Sequence, residues 1–456
     1  MPTARLPIDA AHRASADAHA IGAVTGLQAA LDAKLGWMSR SGASSTCVTL
    51  LDAGLSTAIS VLGDSTGNGT DEWVYLLSQK LAAAYPAHTV QYHMFSDAAQ
   101  SYGAPTVIQS GGAERYARFP GGQFLHIPAA RAEAITGDID VRVKCSLDDV
   151  TPAVENCIVS RFGVNGARAW RLGITASGRV YFQWSTDGTT LSPYFQSSEN
   201  PPWTDGAALW LRATLTVAAG QVMFYTSSDG YTWSQLGSIP TPAGATALFG
   251  ASLEEVELGT RGASTGATSI VGNVYEVDIR AGVGGYSTVP RLPEHWDNRI
   301  AGMGLVGAPR LDVFNGSVSG ANLSYLYASA TRLKSMLPTA AQSLIYISDG
   351  HSESLRNPSG FSDSLTPYIA AIRERVPLAR IVLVAQNPKY SPALYVVPHA
   401  ARMSSLSGID TDCGVLDVFG AFSDTAGLVG SDGIHPTSDG SILWADTAYT
   451  AFIERG

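Results

Sequence analysis

The sequence predicts an α/β protein: a parallel sheet with helices on both faces, interrupted by an inserted all-β sandwich and preceded by a short helical arm. Three observations carry that reading. Apolar, β-branched runs near both ends of the chain alternate with helix-patterned stretches, the order expected of a parallel sheet covered on both faces. Between them lies a long stretch of short period-two strands with Asp-Gly turns and no helix, as in a β-sandwich. The chain has 456 residues, 45% apolar and only 15% charged, which is too long for one ordinary domain.

Residues 1–45 are Ala-rich. Within them Ile21, Val24, Leu27, Leu31 and Leu35 recur at spacings of three and four, giving one apolar helical stripe. A helix this short needs partners, most simply copies of itself; a frayed arm is the alternative. SRSGASST then makes a flexible joint. Residues 46–106 read as strand, helix, strand (STAISVLGD, DEWVYLLSQKLAAAY, HTVQYHMF). Residues 107–287 hold the sandwich runs, among them DIDVRVKCSL, NCIVSRFG, GRVYFQWSTDG and GQVMFYTSSDG. Residues 288–456 return to α/β texture, with strands APRLDVFNGS, QSLIYISDG and ARIVLVAQN. The helices there are SYLYASATRLKSML, SDSLTPYIAAIRERV and SILWADTAYTAFIERG. An all-β unit inside an α/β chain reads as a domain inserted into a loop of its host.

Composition excludes several functions. A formal net charge of −10 with no basic cluster argues against a nucleic-acid groove. No stretch approaches the roughly 20 apolar residues of a membrane span, and the N-terminus lacks the basic flank and apolar core of a secretory signal. Cys47, Cys145, Cys157 and Cys413 have no zinc-site spacing. Cys145 and Cys157 lie in neighbouring strand runs and could face one another across an antiparallel ladder, as a disulfide or as two buried thiols.

The chemistry concentrates in turns. VLGDSTGNG puts Ser65 at a strand tip ahead of a helix, the place of a nucleophile in hydrolases and equally of a helix-capping serine. LVGSDGIHPTSDG places Asp432 three residues before His435, so the carboxylate can orient one ring nitrogen and leave the other aimed outward. The plain alternative is a solvated Asp-Gly turn followed by a helix start. LDVF runs into NGSVSGANL, where Gly316 and Gly320 allow close backbone approach, and SLIYI runs into SDGHSES. Four strand-end turns thus hold Ser65, Gly320, the 350–353 stretch, and Asp432 with His435, at the edge where open α/β sheets bind ligands.

GDST, NGSVSG, GHSE and DGIHP resemble the sequence blocks of the SGNH (GDSL-type) hydrolases. The resemblance implies a flavodoxin-like three-layer α/β/α fold and esterase activity, including deacetylation of polysaccharides. It makes Ser65 the nucleophile, His435 its base and Asp432 the orienting carboxylate. It also makes the N–H groups of Ser65 and Gly320 part of the oxyanion hole. No metal or organic cofactor is needed. The third block departs from the family's G-x-N-D: Gly350-His351-Ser352-Glu353 puts Ser352 at the oxyanion asparagine, while a shifted register would put Gly350 there. Loss of one such donor lowers rates by about 10²–10³-fold.

Context comes from three further likenesses. HAIGAVTGLQAALDAK is similar to segments of bacteriophage tail-fibre and minor tail proteins. GDSTGNGTDEWVYLLSQKLAAAYP resembles block-one regions of minor tail proteins from phages of actinobacteria. The insert, with SSDGYTWSQLG, resembles concanavalin A-like (laminin G/lectin-type) domains. Together they imply a virion protein of the tail tip or fibre, trimeric through its arm and attached there to other tail proteins. Such a protein would remove acyl groups, acetyl foremost, from a host cell-envelope polysaccharide or glycolipid. The competing expectation is a non-catalytic receptor-binding protein in which Ser352 marks lost catalysis. In that case Trp184, Trp203, Trp210 and Trp233 either stack on sugars or pack in the core.

Overall fold

Ser65 and His435 come from distant parts of the sequence and meet beside one mixed sheet. The structure, a computed structural model, describes residues 45–164, 166–250, 254–262, 268–298, 304–327, 329–337, 342–352, 358–388, 413–422 and 427–453. The helical arm expected over 1–45, with its apolar stripe, lies outside these apart from residue 45.

The parallel strands are β1 (Thr57–Gly63), β2 (Thr89–Ser96), β3 (Arg310–Ser317), β4 (Gln342–Ser348), β5 (Arg380–Ala385) and β6 (Cys413–Asp417). They lie in the order β6-β5-β4-β1-β3-β2 within an 8-stranded sheet, extended at the β2 edge by Ser101–Tyr102 and Thr106–Gln109, which run antiparallel to β2. Setting β2 aside as an added edge strand, the remaining order is 2-1-3-4-5, and β1 sits where the connections depart to both sides. Gly63 at its tip pairs with Ser317 of β3 and with Ser348 of β4. A Cβ on Gly63 would stand 2.7 Å from the Ser348 carbonyl oxygen, so only glycine lets these strands close here.

Successive strand residues face opposite layers. Leu344 and Tyr346 join a core with helices Ser45–Asp52, Trp73–Ala84 and Ser438–Ile453, while Ile345 and Ile347 join one with Leu323–Tyr327, Ala330–Met336 and Pro358–Arg375. The domain is therefore three-layered. Its apolar stripes were legible in sequence, but the expected helix 324–337 is two short helices, the second opened by the Ser329 cap. The Ser45–Asp52 helix and strand β6 had no sequence-level expectation.

The insert is a sandwich of a 7-stranded and an 8-stranded antiparallel sheet around one large apolar core. Its pairing runs from Tyr116–Pro120 to Leu305–Val306, beyond the expected 107–287, and Thr106–Gln109 belongs to the α/β sheet instead. The cause is tertiary: these edge strands are short and take their identity from the neighbour they pair with. Cys145 and Cys157 do not share a ladder. Their strands lie in different sheets, and all four cysteines are buried thiols that form no disulfide.

The sandwich also contains an internal echo. Gly178–Ser192 and Gly220–Ser234 match in their Gly, Val, Phe and Ser-x-Asp-Gly-x-Thr positions. In each copy the serine hydroxyl accepts the N–H groups of the following Asp and Gly, and Asp187 or Asp229 accepts two backbone N–H groups beyond the turn. One copy sits in each sheet. Of the four tryptophans weighed for sugar stacking, Trp184 is in the core and Trp210 is buried. Trp203 packs on the core edge, and Trp233 carries the guanidinium groups of Arg142 and Arg212 on its ring.

Buried ion pairs weld the sandwich to its host. Arg310, the first residue of β3, donates to Glu276 of the sandwich (2.9 Å) and to Asp312 (2.9 Å), and Arg291 completes the Glu276 pair. Burial alone would raise the Glu276 carboxyl, but the two guanidinium groups hold it below its ordinary range.

Candidate active site

The helix after β1 begins at Trp73 with Glu72 at its N-cap, so Ser65 is not a capping serine. It stands in a separate turn at the tip of β1. Asp64, before it, is buried, and its Oδ1 accepts the Thr66 N–H (3.0 Å) and hydroxyl (2.8 Å), closing a small ring around Ser65. Further along, Glu72 accepts the Gly69 N–H (2.6 Å) and pins the glycine-rich stretch. Burial raises the Glu72 carboxyl above its ordinary range, although the bond from Gly69 opposes that and His435 lowers it further.

His435 reaches the same place from the loop ahead of the C-terminal helix. That loop is a tight hairpin: Gly430 N–H bonds the His435 carbonyl (2.7 Å), Thr437 N–H bonds the Leu428 carbonyl (2.8 Å), and Thr437 Oγ1 caps the helix through Gly440 (3.2 Å). Asp432 Oδ1 accepts the N–H groups of Ile434 (2.9 Å) and His435 (3.0 Å), while Oδ2 lies 2.5 Å from His435 Nδ1. The other ring nitrogen, Nε2, lies 2.8 Å from Ser65 Oγ. With Nδ1–H donating to Asp432, Nε2 is the acceptor for the serine proton. The bond from His435, reinforced by the two backbone N–H groups, holds the Asp432 carboxyl at about 2. Both side chains are solvent-accessible, His435 at 41% and Asp432 at 49%, so this pair works in screened surroundings rather than a dry interior.

Gly320 and Ser352, expected at the oxyanion hole, lie in the turns after β3 and β4, the two strands that pair with β1. The turn after β3 is tied to β1 by the Val318 N–H bond to the Gly63 carbonyl (3.0 Å), and Gly320 is exposed with φ +72, a left-handed backbone that favours glycine. Ser352 stands in the turn after β4, partly exposed, and Glu353 lies outside the described residues. The structure therefore joins Ser65, His435 and Asp432 by hydrogen bonds and sets Gly320 and Ser352 at the two neighbouring strand ends.

Three buried amides behind the site had no sequence-level signal beyond a place in a strand-end run. Asn315 of β3 donates to the Gly67 carbonyl and to Tyr92 Oη (2.7 Å), and accepts the Ser317 N–H (3.0 Å). Gln386 and Asn387, just past β5, are fully buried and bond several turns of the site. Their position after a strand end was the only clue, and polar loops commonly look the same. Among the described residues, no group of His, Cys, Asp and Glu is arranged to hold a metal.

No protein-family model matches the sequence. No curated protein matches it. Solved structures with partial likeness include a peptidoglycan O-acetylesterase, at 11% identity and TM-score 0.37, covering 91% of this chain and 96% of that one. A lipolytic G-D-S-L family member from Veillonella parvula matches at 14% identity and TM-score 0.26, covering 30% of this chain and 78% of that one. Mouse laminin α1 domains LG4-5 match at 14% identity and TM-score 0.30, covering 43% of this chain and 48% of that one. Scores this low transfer neither fold nor chemistry, and the geometry of the site stands by itself.

Proposed function

We propose that this protein is a serine esterase of the SGNH type that removes acyl groups, acetyl foremost, from a host cell-surface glycan. The observation that carries this reading is the chain of contacts Asp432 to His435 to Ser65, joined across the whole insert with the lengths of productive hydrogen bonds. The 2-1-3-4-5 strand order and the position of Ser65 at the switch point support it.

In the proposed cycle Ser65 Oγ attacks the ester carbonyl as His435 Nε2 takes its proton, forming a tetrahedral oxyanion. The N–H groups of Ser65 and Gly320, with the Ser352 hydroxyl, hold that charge. As the oxyanion collapses and the bond to the sugar oxygen breaks, His435 returns the proton to that oxygen, and water, activated by His435, then releases the acid from the acyl-serine. The exposed histidine suits an ester presented on a polymer rather than a small molecule enclosed in a deep pocket.

The tail-tip or fibre location, the trimer and the contact with other tail proteins rest on the likenesses of the N-terminal arm and of GDSTGNGTDEWVYLLSQKLAAAYP to phage tail proteins. The lectin-like sandwich is proposed to hold the glycan while the esterase works. Ser352 in place of an amide favours a second reading, a glycan-binding tail protein on a retired hydrolase fold. The test is hydrolysis of p-nitrophenyl acetate and longer acyl esters beside Ser65→Ala. Turnover that this variant abolishes supports the esterase. Equal, negligible rates in both favour the binding protein.

A further inference from the structure

We propose that Gln386 and Asn387 are positioning residues that fix Ser65 and His435 relative to one another; this deepens the esterase reading and rests on it. Gln386 Nε2 donates to Asp64 Oδ2 (3.1 Å) and lies within bonding reach of Thr66 Oγ1 (3.2 Å) and the Ser348 carbonyl (3.2 Å). Its Oε1 accepts the His351 N–H (3.0 Å). One amide therefore grips the residues on both sides of Ser65 and the turn after β4 that carries Ser352.

Asn387 continues the frame. Its Nδ2 donates to the carbonyl of Ile434 (2.9 Å), the residue before His435, and its main-chain carbonyl accepts from His351 Nε2 (2.7 Å). Adjacent residues at one strand end thus hold the nucleophile turn, the third-block turn and the histidine loop. Both residues are at 0% exposure: deleting the Gln386 amide strands the buried Asp64, Thr66 and His351 groups, and deleting the Asn387 amide removes a tie to the half-buried Ile434 carbonyl. The three turns come from distant parts of the chain and share no strand. The side chains of His435 and Asp432 are solvent-exposed, so their placement depends on the bonds of the loop and on such ties.

The consequence is kinetic. A misplacement of about 1 Å between nucleophile and base lowers rates by about 10²-fold, even when the protein remains folded. The test compares Gln386→Leu and Asn387→Leu with Ser343→Ala. Ser343 bonds Thr57 (2.5 Å) at the far end of the same sheet and serves as the stability control. On p-nitrophenyl acetate, each Leu variant is expected to lose about 10²-fold in kcat with KM within about twofold. Ser343→Ala is expected to lose a similar amount of Tm and keep its kcat. An unchanged kcat in the Leu variants, or a Ser343→Ala loss that follows Tm in the same way, overturns the assignment.

Amide hydrogen exchange supplies a readout that needs no turnover. Gln386→Leu is expected to exchange faster at 63–67 and 348–352, and Asn387→Leu at 428–436, than the unsubstituted protein, with the sandwich unchanged. Equal exchange at those turns overturns the proposal even in a protein that hydrolyses no ester. A protein without Ser65-dependent turnover that still shows this pattern would contradict the esterase reading alone.

Discussion

His435 Nε2 lies 2.8 Å from Ser65 Oγ although 370 residues separate them in sequence. The separation includes an entire sandwich, which leaves the α/β sheet beyond Gln109 and returns to it at Arg310. The buried pairs of Arg310 with Glu276 and Asp312 lock that return, so the two halves of the site meet in one register.

Asp432→Asn keeps the shape of the loop but removes the charge that fixes the histidine tautomer. A fall in kcat of about 10²–10⁴ is expected, with KM little changed. Steady-state kinetics on an activated ester checks this. An unaltered kcat would mean that the carboxylate only shapes the hairpin.

The Asp432 carboxyl, at about 2, lies below the ordinary aspartate value of about 3.9. A depressed carboxyl stabilises the folded loop above its unfolded pKa, and that contribution is lost as pH falls through the folded one. Carbon-13 titration should place the Asp432 midpoint near 2, and His435→Ala should raise it. A midpoint near 4 in both proteins would contradict the pair.

Ser352→Asn supplies a longer amide donor in the turn after β4. An increase in kcat is expected, toward the roughly 10²–10³-fold value of one oxyanion donor. No change or a loss would show that the Ser352 side chain does not face the oxyanion.

Arg310→Met removes one member of a buried charge cluster and leaves Glu276 and Asp312 under-compensated. A loss of about 3–5 kcal/mol is expected. Calorimetry should show a lower Tm and separation of the sandwich and α/β transitions. A single transition at the original Tm would mean that the cluster does not couple the domains.

The legible parts of this fold were those where chemistry sits on a strand tip. Ser65, Gly320, Asp432 and His435 occupy turns whose small or polar residues interrupt apolar runs, and such interruptions show in sequence. Asn315, Gln386 and Asn387 did not show their role, because a buried amide and a loop amide are spelled the same way; only the fold reveals what surrounds them. Cys145 and Cys157 failed as a ladder pair for a related reason. The chain between their strands passes from one sheet of the sandwich to the other, and nothing in the period-two pattern marks that step. The insert's edges were misplaced because strands as short as Leu305–Val306 are defined by the strand they join.

The central claim is that Ser65 is a nucleophile activated by His435. Labelling with a fluorophosphonate, followed by intact-mass and peptide analysis, tests it without knowledge of the natural ester. A single adduct on Ser65 is predicted, with labelling slowed by at least about 10²-fold in His435→Ala. No adduct on Ser65, or equal labelling of both proteins, would contradict the account.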